Sequence, residues 1–453
     1  MKKMLKKIAF TVLAFSLLGL VSCSNASSGS PITPINPAPV TPVPNNPTSN
    51  NEAEGKTLEV WTYSNELQTI IDNYYKPSHQ DITVNLTVVP KDQFSAKLDA
   101  ALAAGAGTPD LFVLNSDIAK KYIDKGDSQL LDLTEIYNES KSKIVPYIAD
   151  VGMKDDKVYG HSWQACPGAY FYRRSLAKKY LGSDDPATVQ KAFANWDTFL
   201  ATARDLKKAS GGKCVILSTT GDLFKPFQGA RKGPWIQGGK LVVDPAMEDY
   251  MKMAKTLKDE GLEGRQERGA EGWFAGFKDE LKDGAGKKVE VFGVFLSSCE
   301  FLEKLKPNAG NTGGDWGMIA GPNQYFTGGE WIAAYAKTKA PKLAKEFIKY
   351  IATDDEFLKK WSKDTGNIVS SKNAVNAIKD TCNETFLNGQ NYYAEFAAIV
   401  NNIDGKVIQG TDQDIEKFWD EAVRTHVNGE KSKDDAIADF KTNVAQKLGF
   451  QSK

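Results

Sequence analysis

The 453-residue chain has no excess of either charge, because 57 lysines and arginines balance 57 aspartates and glutamates. Without a net field, its composition gives no sign of recruitment to nucleic acid or to an anionic lipid surface. Histidine is scarce as well. The three histidines, His79, His161 and His426, are scattered along the sequence, and we interpret each as a surface or packed residue.

The sequence lacks the local signatures of several enzyme classes. It contains no G-x-S-x-G elbow, no H-E-x-x-H helix and no P-loop, which are the motifs of many hydrolases, zincins and nucleotide-binding enzymes. We therefore predict that the protein is not an enzyme and needs no cofactor. A cell-surface glycoside hydrolase stays open as an alternative, because it needs only two carboxylates at a defined separation.

Cysteine is also rare. Apart from Cys23 there are four cysteines, Cys166, Cys214, Cys299 and Cys382, and they form no C-x-x-C pair. Such spacing is poor for zinc, so no metal site is predicted. Four cysteines allow three pairings, and the sequence does not choose between a disulfide and buried free thiols.

The one long hydrophobic run, residues 8–20, lies at the N-terminus behind four lysines. It is too short for a membrane span and is typical of a secretion signal. It ends in Leu20-Val21-Ser22-Cys23, which resembles the bacterial lipobox. We therefore predict a lipoprotein signal peptide over residues 1–22 and lipid attachment at Cys23. The mature protein would lie outside the cytoplasm, anchored to a membrane through that lipid.

A segment rich in proline, serine and asparagine follows over residues 23–55, with seven prolines between Pro31 and Pro47. It has almost nothing apolar to bury, so folding could not offset the loss of chain entropy. Closely spaced prolines favour an extended chain. We predict a disordered tether between the lipid and a globular body.

The body that follows has the patterns of an α/β protein. A strand-like segment at residues 58–63, alternating apolar residues at 82–88 and a short apolar run at 109–114 are separated by two amphipathic helical patterns. Strands that alternate with helices predict a parallel sheet. Ligands of such sheets bind outside the carboxyl ends of the strands, here residues 62–66 and 115–117.

Several motifs occur in the order in which a known family carries them. They are Val60-Trp61-Thr62-Tyr63, Gly107-Thr108-Pro109-Asp110-Leu111-Phe112, Tyr170-Phe171-Tyr172-Arg173, Asn195-Trp196-Asp197, Gly328-Gly329-Glu330-Trp331 and Ala344-Lys345-Glu346-Phe347. In this order they resemble the extracellular solute-binding proteins of the maltose-binding protein type. The sequence departs from that pattern after Gly366-Asn367-Ile368-Val369, where Ser370 stands in place of the usual proline.

The resemblance implies a two-lobed periplasmic-binding-protein fold of type II, with a hinge and a cleft between the lobes. Lobe 1 would comprise residues 56–165 and 328–369, and lobe 2 residues 166–327 and 370–453. The family's mechanism implies a monomer that captures a carbohydrate, closes its lobes over it and delivers it to the membrane permease of an ABC importer.

The resemblance and the strand ends together give a set of candidate ligand-binding residues. Aromatic rings would stack on sugar faces, and carboxylates and amides would bind hydroxyl groups. The candidates are Tyr63, Asn65, Glu66, Asp117, Trp163, Gln164, Trp235, Phe295, Trp331 and Trp419, of which Trp331 is the first choice because it follows two glycines at a crossing.

Each candidate also has a purely structural interpretation. Asn65 and Asp117 could cap helices, whereas Trp163 and Trp419 could be core residues. A different cargo, such as a polyamine or a peptide, is the alternative within the binding class. A polyamine site would need several converging carboxylates, and the mixture of aromatic and amide residues favours a neutral polyol.

Overall fold

Strands alternate with helices along the part of the chain that the computed structural model describes, residues 55–452. The predicted signal peptide, the lipid attachment at Cys23 and the tether up to residue 54 lie outside this part. Glu52–Lys453 form one compact unit. The elements given below all belong to it.

Fourteen strands lie in the described residues, several of them only two residues long. They are β1 (Thr57–Thr62), β2 (Thr83–Val88), β3 (Leu111–Asn115), β4 (Met153–Lys154), β5 (Lys157–Val158), β6 (Gly160–Ser162), β7 (Gly168–Arg173), β8 (Cys214–Val215), β9 (Ile236–Gln237), β10 (Lys240–Leu241), β11 (Glu290–Val291), β12 (Gly293–Ser297), β13 (Trp316–Ile319) and β14 (Glu330–Ala334).

The helices are mostly short and amphipathic. They are α1 (Glu66–Ile70), α2 (Lys91–Ala104), α3 (Ser116–Ile123), α4 (Thr134–Ser140), α5 (Pro146–Gly152), α6 (Arg174–Leu181), α7 (Pro186–Ala192), α8 (Trp196–Ala209), α9 (Phe224–Gly229), α10 (Pro245–Asp259), α11 (Glu271–Phe277), α12 (Ser298–Glu300), α13 (Lys306–Asn308), α14 (Pro341–Thr353), α15 (Asp355–Thr365), α16 (Lys372–Ile378), α17 (Tyr392–Ile399), α18 (Asp412–Val427) and α19 (Lys433–Leu448).

The first sheet has the strand order β2-β1-β3-β14-β6. Strand β1 is parallel to both β2 and β3, which confirms the predicted parallel pairing. Strand β14 belongs to a much later part of the chain. It lies between β3 and β6 and is antiparallel to both. All five of its residues are buried, as expected for a central strand covered by helices on both faces.

The first helix differs from its prediction. Asn65 stands at the N-cap of α1, but its side chain makes no capping hydrogen bond, so the predicted side-chain cap is wrong. The helix continues as a π-helical turn over Ile71–Tyr75. The next helix, α2, ends at Gly105, whose φ of +69° is the left-handed conformation that glycine adopts without strain.

The second main sheet has the order β12-β7-β13, and both pairs are antiparallel. Every residue of β7 is buried. Because side chains alternate across a strand, Phe171 belongs to the core that is contiguous with the first sheet. Its neighbours Tyr170 and Tyr172 belong to a second core that includes α8, α10 and α18.

Three chain segments run side by side between the two sheets. The Ala165 amide donates to the Ile368 carbonyl at 2.8 Å, and the Gly168 amide donates to the Tyr325 carbonyl at 2.7 Å. These contacts join the segment after β6 to the segment before β14 and to the segment after α15. Such a set of short crossings is where a hinge would lie. The residue boundaries proposed for the two lobes stay a prediction.

The disulfide question is settled for the four cysteines of the body. Cys166 and Cys299 form a disulfide, and Cys214 and Cys382 are free. The disulfide links the chain segment between β6 and β7 to the start of α12, just after β12. No helix within residues 55–452 is long and apolar enough to cross a bilayer.

Candidate functional site

Polar side chains meet where the strands of the first sheet end. The register pairs Glu330, at the start of β14, with Asn115, at the end of β3. The Ser64 hydroxyl, just beyond β1, donates to Glu330 Oε1 at 3.2 Å. Two consecutive glycines at positive φ, Gly328 and Gly329, make the turn that delivers Glu330 to this edge.

A cavity of about 500 Å³ opens at this edge and is lined from both sheets. This volume is typical of small-molecule sites, about 300–1,000 Å³. From the first sheet the lining includes residues that follow β1, β3 and β6. From the second sheet it includes residues of β12 and α12. The cavity therefore lies between the two halves of the body.

Two hydrogen-bond donors from the chain segment that follows β6 hold Glu66 at the cavity. The indole Nε1 of Trp163 donates to Glu66 Oε1 at 2.7 Å, and the Gln164 amide donates to the same oxygen at 2.6 Å. Burial raises the pKa of Glu66, and the nearby Glu303 carboxylate raises it further against these two hydrogen bonds. Trp163 itself is fully buried, so it acts on the cavity by positioning Glu66.

Glu330 is a carboxylate in an unfavourable place for a charge. It is only 8% exposed, and its Oε2 has no hydrogen-bond partner among the described residues. Burial raises the pKa of Glu330, and the Glu66 carboxylate raises it further. Burial also raises the pKa of the Tyr63 hydroxyl, with the Glu330 charge adding to the effect. Two acidic groups thus share one desolvated wall.

The opposite wall carries a compact ion-pair network. Arg268 donates to both carboxylate oxygens of Glu300, at 3.0 and 3.1 Å, and to Asp222 at 3.0 Å. Lys304 adds a contact of 2.7 Å to Glu300. Burial works to raise the pKa of Glu300, but Arg268 and Lys304 hold it at about 2. This bidentate geometry fixes the guanidinium plane against the cavity.

A second cavity of about 250 Å³ adjoins the first and shares Ser116, Asp117, Lys225 and Thr327 with it. Its remaining wall comes largely from α18. Burial raises the pKa of Asp412 there to about 7, although the Arg231 guanidinium opposes the shift. The two cavities form a continuous polar cleft that could bind hydroxyl or amino groups through carboxylates and amides. We call it the cleft below.

Five of the ten candidate residues line the cleft. They are Tyr63, Glu66, Asp117, Gln164 and Phe295. The capping role considered for Asp117 belongs instead to Asn115, whose side chain accepts from the Asp117 amide at 3.0 Å. The exposed carboxylate of Asp117 therefore does not cap the helix. Phe295 is almost fully buried, and it offers the cavity only part of its ring.

Three tryptophan candidates lie in the cores, and their placement corrects the prediction. Trp331 is 1% exposed and donates from Nε1 to the Ile148 carbonyl at 3.1 Å. Trp235 and Trp419 pack against each other, with ring centroids 5.4 Å apart. Each indole fills a core made by distant parts of the chain. Asn65 is exposed and lies outside the lining of both cavities.

The residues that sequence reasoning missed are mostly charged. Glu330 stands one position before the predicted Trp331 in the Gly-Gly-Glu-Trp motif. Glu300 closes a capping box with Ser297 after a buried strand, a pattern that is readable as Ser-x-x-Glu. Nothing local marks Arg268, which lies in a turn, or Asp222, which lies in the 3-10 helix Thr220–Leu223. No group of His, Cys, Asp and Glu suited to a metal ion occurs within residues 55–452.

Comparison with known proteins gives a consistent result. The family described as "Bacterial extracellular solute-binding protein" matches residues 69–385, well over half of the chain. A search of curated proteins finds no match. Among solved structures, an extracellular solute-binding protein of family 1 is similar with a TM-score of 0.74 and 18% identity, over 85% of this chain and 97% of that chain.

Two similar structures come from bifidobacteria. The ABC-transporter-associated binding protein of B. animalis subsp. lactis, in complex with β-1,6-galactobiose, has a TM-score of 0.66 and 22% identity, over 88% of this chain and 99% of that chain. The galacto-N-biose-/lacto-N-biose I-binding protein of Bifidobacterium longum, in complex with lacto-N-biose, has a TM-score of 0.68 and 19% identity, over 89% and 100%. At these identities the likeness establishes the two-lobed fold.

Proposed function

Because the chain belongs to the bacterial extracellular solute-binding proteins, we propose that it captures a carbohydrate outside the cytoplasm and hands it to the permease of an ABC importer. The observation that carries the proposal is the cavity of about 500 Å³ lined from both sheets. A ligand there would contact both lobes at once, and it would therefore favour their closed arrangement.

The lining supports a polyhydroxylated ligand. Tyr63 and Phe224 are half-buried and offer ring surface, which suits the apolar face of a sugar. Glu66, Gln164 and Asp117 offer oxygens and an amide that can accept from or donate to hydroxyl groups. The similar bifidobacterial proteins were solved with disaccharides, and this cavity has room for a ligand of that class.

Transport also needs a membrane partner and an anchor. We propose that the lipid on Cys23 retains a monomeric protein at the membrane while the tether lets the body approach the permease. ATP hydrolysis would belong to the importer. The protein would release its sugar chemically unchanged, so it would act as a binding protein and not as a glycoside hydrolase.

The test is a thermal-shift screen of the protein against a panel of mono- and oligosaccharides, followed by calorimetry on the hits. A ligand that binds only the folded state raises stability by about 2.7 kcal/mol at a hundred times its Kd. We expect one or a few related sugars to raise the melting temperature and to be recovered intact.

A matched pair of variants locates the site. Asp117→Asn removes one charge from the cleft and should weaken binding of the best sugar about threefold to tenfold. Asp380→Asn makes the same change at an exposed surface position and should leave affinity unchanged. Failure of every sugar, or hydrolysis of the bound one, would contradict the proposal.

A further inference from the structure

The cleft is acidic, although the chain as a whole is not. Nine acidic and five basic residues line the two cavities, whereas 57 basic residues balance 57 acidic ones over the whole sequence. A local excess of negative charge between low-dielectric walls concentrates cations. The excess of acidic residues in the cleft therefore favours a ligand that carries positive charge.

Most of the basic residues are already engaged. Arg268 and Lys304 are paired with Asp222 and Glu300, and Lys225 lies 3.8 Å from Glu416. The Lys91 ammonium lies 5.9 Å from the centre of the Tyr63 ring. None of these cations forms an ion pair with the carboxylates on the first-sheet side, Glu66 and Glu330.

Glu66 and Glu330 make up that unpaired group, whereas Lys304 and Lys91 act on the nearby Glu303. Within residues 55–452, no lysine or arginine forms an ion pair with Glu66 or Glu330. The Glu303 charge acts on Glu66, and the charges of Glu66 and Glu303 act on Glu330. Burial raises the pKa of both Glu66 and Glu330, and repulsion by neighbouring carboxylates, Glu303 at Glu66 and Glu66 at Glu330, raises each further. A cation placed beside them would relieve the repulsion and lower both pKa values.

Two buried carboxylate oxygens in the cleft accept no well-formed hydrogen bond, although the Tyr63 hydroxyl lies close to the Glu330 carboxylate. One is Oε2 of Glu330, in the larger cavity, and the other is Oδ1 of Asp412, in the smaller one. Both residues are more than nine-tenths buried. A buried acceptor without a donor is costly. Because both residues line a cavity, a donor that arrives with the ligand can offset that cost.

We propose that the solute carries a primary ammonium group that binds at the Glu330 and Glu66 carboxylates. An ammonium is compact, positively charged and has three donors. It can therefore reach the free Oε2 of Glu330 and still contact Glu66. A neutral hydroxyl group would supply a donor but would not stabilise the ionised form of either carboxylate. Resting on the proposed function, this makes the ligand an aminated carbohydrate.

The experiment compares disaccharides that share one skeleton and differ at a single position, which bears a free amine, an N-acetyl group or a hydroxyl. Calorimetry at neutral pH on the full mature protein gives each affinity. We expect the free amine to bind about tenfold or more tightly than its two relatives, as a charge-assisted hydrogen bond would provide. Added salt should reduce that preference.

Glu330→Gln keeps the size of the side chain and an acceptor for Ser64 but removes the charge. It should abolish most of the preference for the amine, so that the amine and its two neutral relatives bind with similar affinities. Glu356→Gln makes the same change at an exposed residue outside the cleft and should keep the preference. Melting temperatures of the ligand-free variants show that each one is folded.

The outcomes separate this inference from the proposed function. Neutral sugars that bind as tightly as amines overturn the inference and leave carbohydrate capture standing. Spermidine that binds through Glu330, with no sugar binding at all, supports the ammonium site and overturns carbohydrate as the cargo. If no ammonium-bearing probe binds more tightly than its neutral counterpart, the inference is wrong.

Discussion

Trp331 is the residue whose replacement best separates a core role from a ligand-stacking role. Its indole is 1% exposed in β14 and donates to the Ile148 carbonyl of α5. Replacing a buried tryptophan by alanine costs about 3–5 kcal/mol, and losing the hydrogen bond adds about 1 kcal/mol. We therefore expect Trp331→Ala to destabilise the protein by about 4–6 kcal/mol.

The assay is urea unfolding followed by calorimetry on the folded fraction. Trp331→Phe keeps most of the ring, so its cost should be about 1–2 kcal/mol, and it serves as the foldable variant if the alanine protein does not fold. Affinity per folded molecule should change less than about threefold in either variant, because Trp331 does not line the cleft.

Phe224→Ala provides the contrast. Phe224 lines the cavity and is half-buried, so its loss should weaken binding and cost less stability than the loss of Trp331. A Trp331→Ala protein with a normal unfolding midpoint and binding weakened more than about tenfold would refute this reasoning. Trp331 would then face the ligand as the sequence first suggested.

Three further predictions address the covalent features and the buried charge. Replacing both Cys166 and Cys299 by serine removes a cross-link that spans a sequence separation of 133. The free energy of unfolding in urea should fall by about 5 kcal/mol or somewhat less. Cys214→Ser changes a free cysteine and should not cause this loss. Cys23→Ala should move the protein from the detergent phase to the aqueous phase, and unchanged partitioning would rule out the lipobox. The raised pKa of the wild-type Glu330 carboxyl makes its ionisation costly in the folded protein. The Glu330→Gln variant should therefore become more stable than the wild type as pH rises from about 5 to about 8, by about 2–4 kcal/mol. A stability difference that does not depend on pH would contradict this.

The strand ends could be predicted because the physics behind them is local. Residues 62–66 and 115–117 follow two strands that proved to be parallel neighbours of one sheet, and the carboxyl ends of such strands meet at one edge. Tyr63, Glu66 and Asp117 accordingly line the cleft. The strand ends indicated this region, and the family resemblance selected these three residues within it.

The remaining assignments depended on register and on distant partners. Glu330 and Trp331 are adjacent in β14, and side chains alternate across a strand, so one faces the cavity while the other faces the core. The two glycines that precede them do not indicate which side chain faces the cavity and which faces the core. Trp235 and Trp419 fill a common core from opposite parts of the chain, and only the tertiary structure brings them together.

Short segments were also hard to predict. Residues 213–218 have the composition of a strand, but only the two residues of β8 form one. The chain beyond it still pairs, since the Ile216 amide donates to the Leu262 carbonyl at 2.9 Å. Apolar runs of this length fit several backbone arrangements, so periodicity alone does not fix the length of the strand.

The central claim is that a solute held in the cleft brings two lobes together. Small-angle X-ray scattering of the mature protein, with and without a saturating ligand of proven affinity, tests it most directly. The account predicts a smaller radius of gyration and a shorter maximum dimension with ligand, since closure about the crossing segments draws the lobes inward. An identical scattering profile in the presence of demonstrated binding would contradict it.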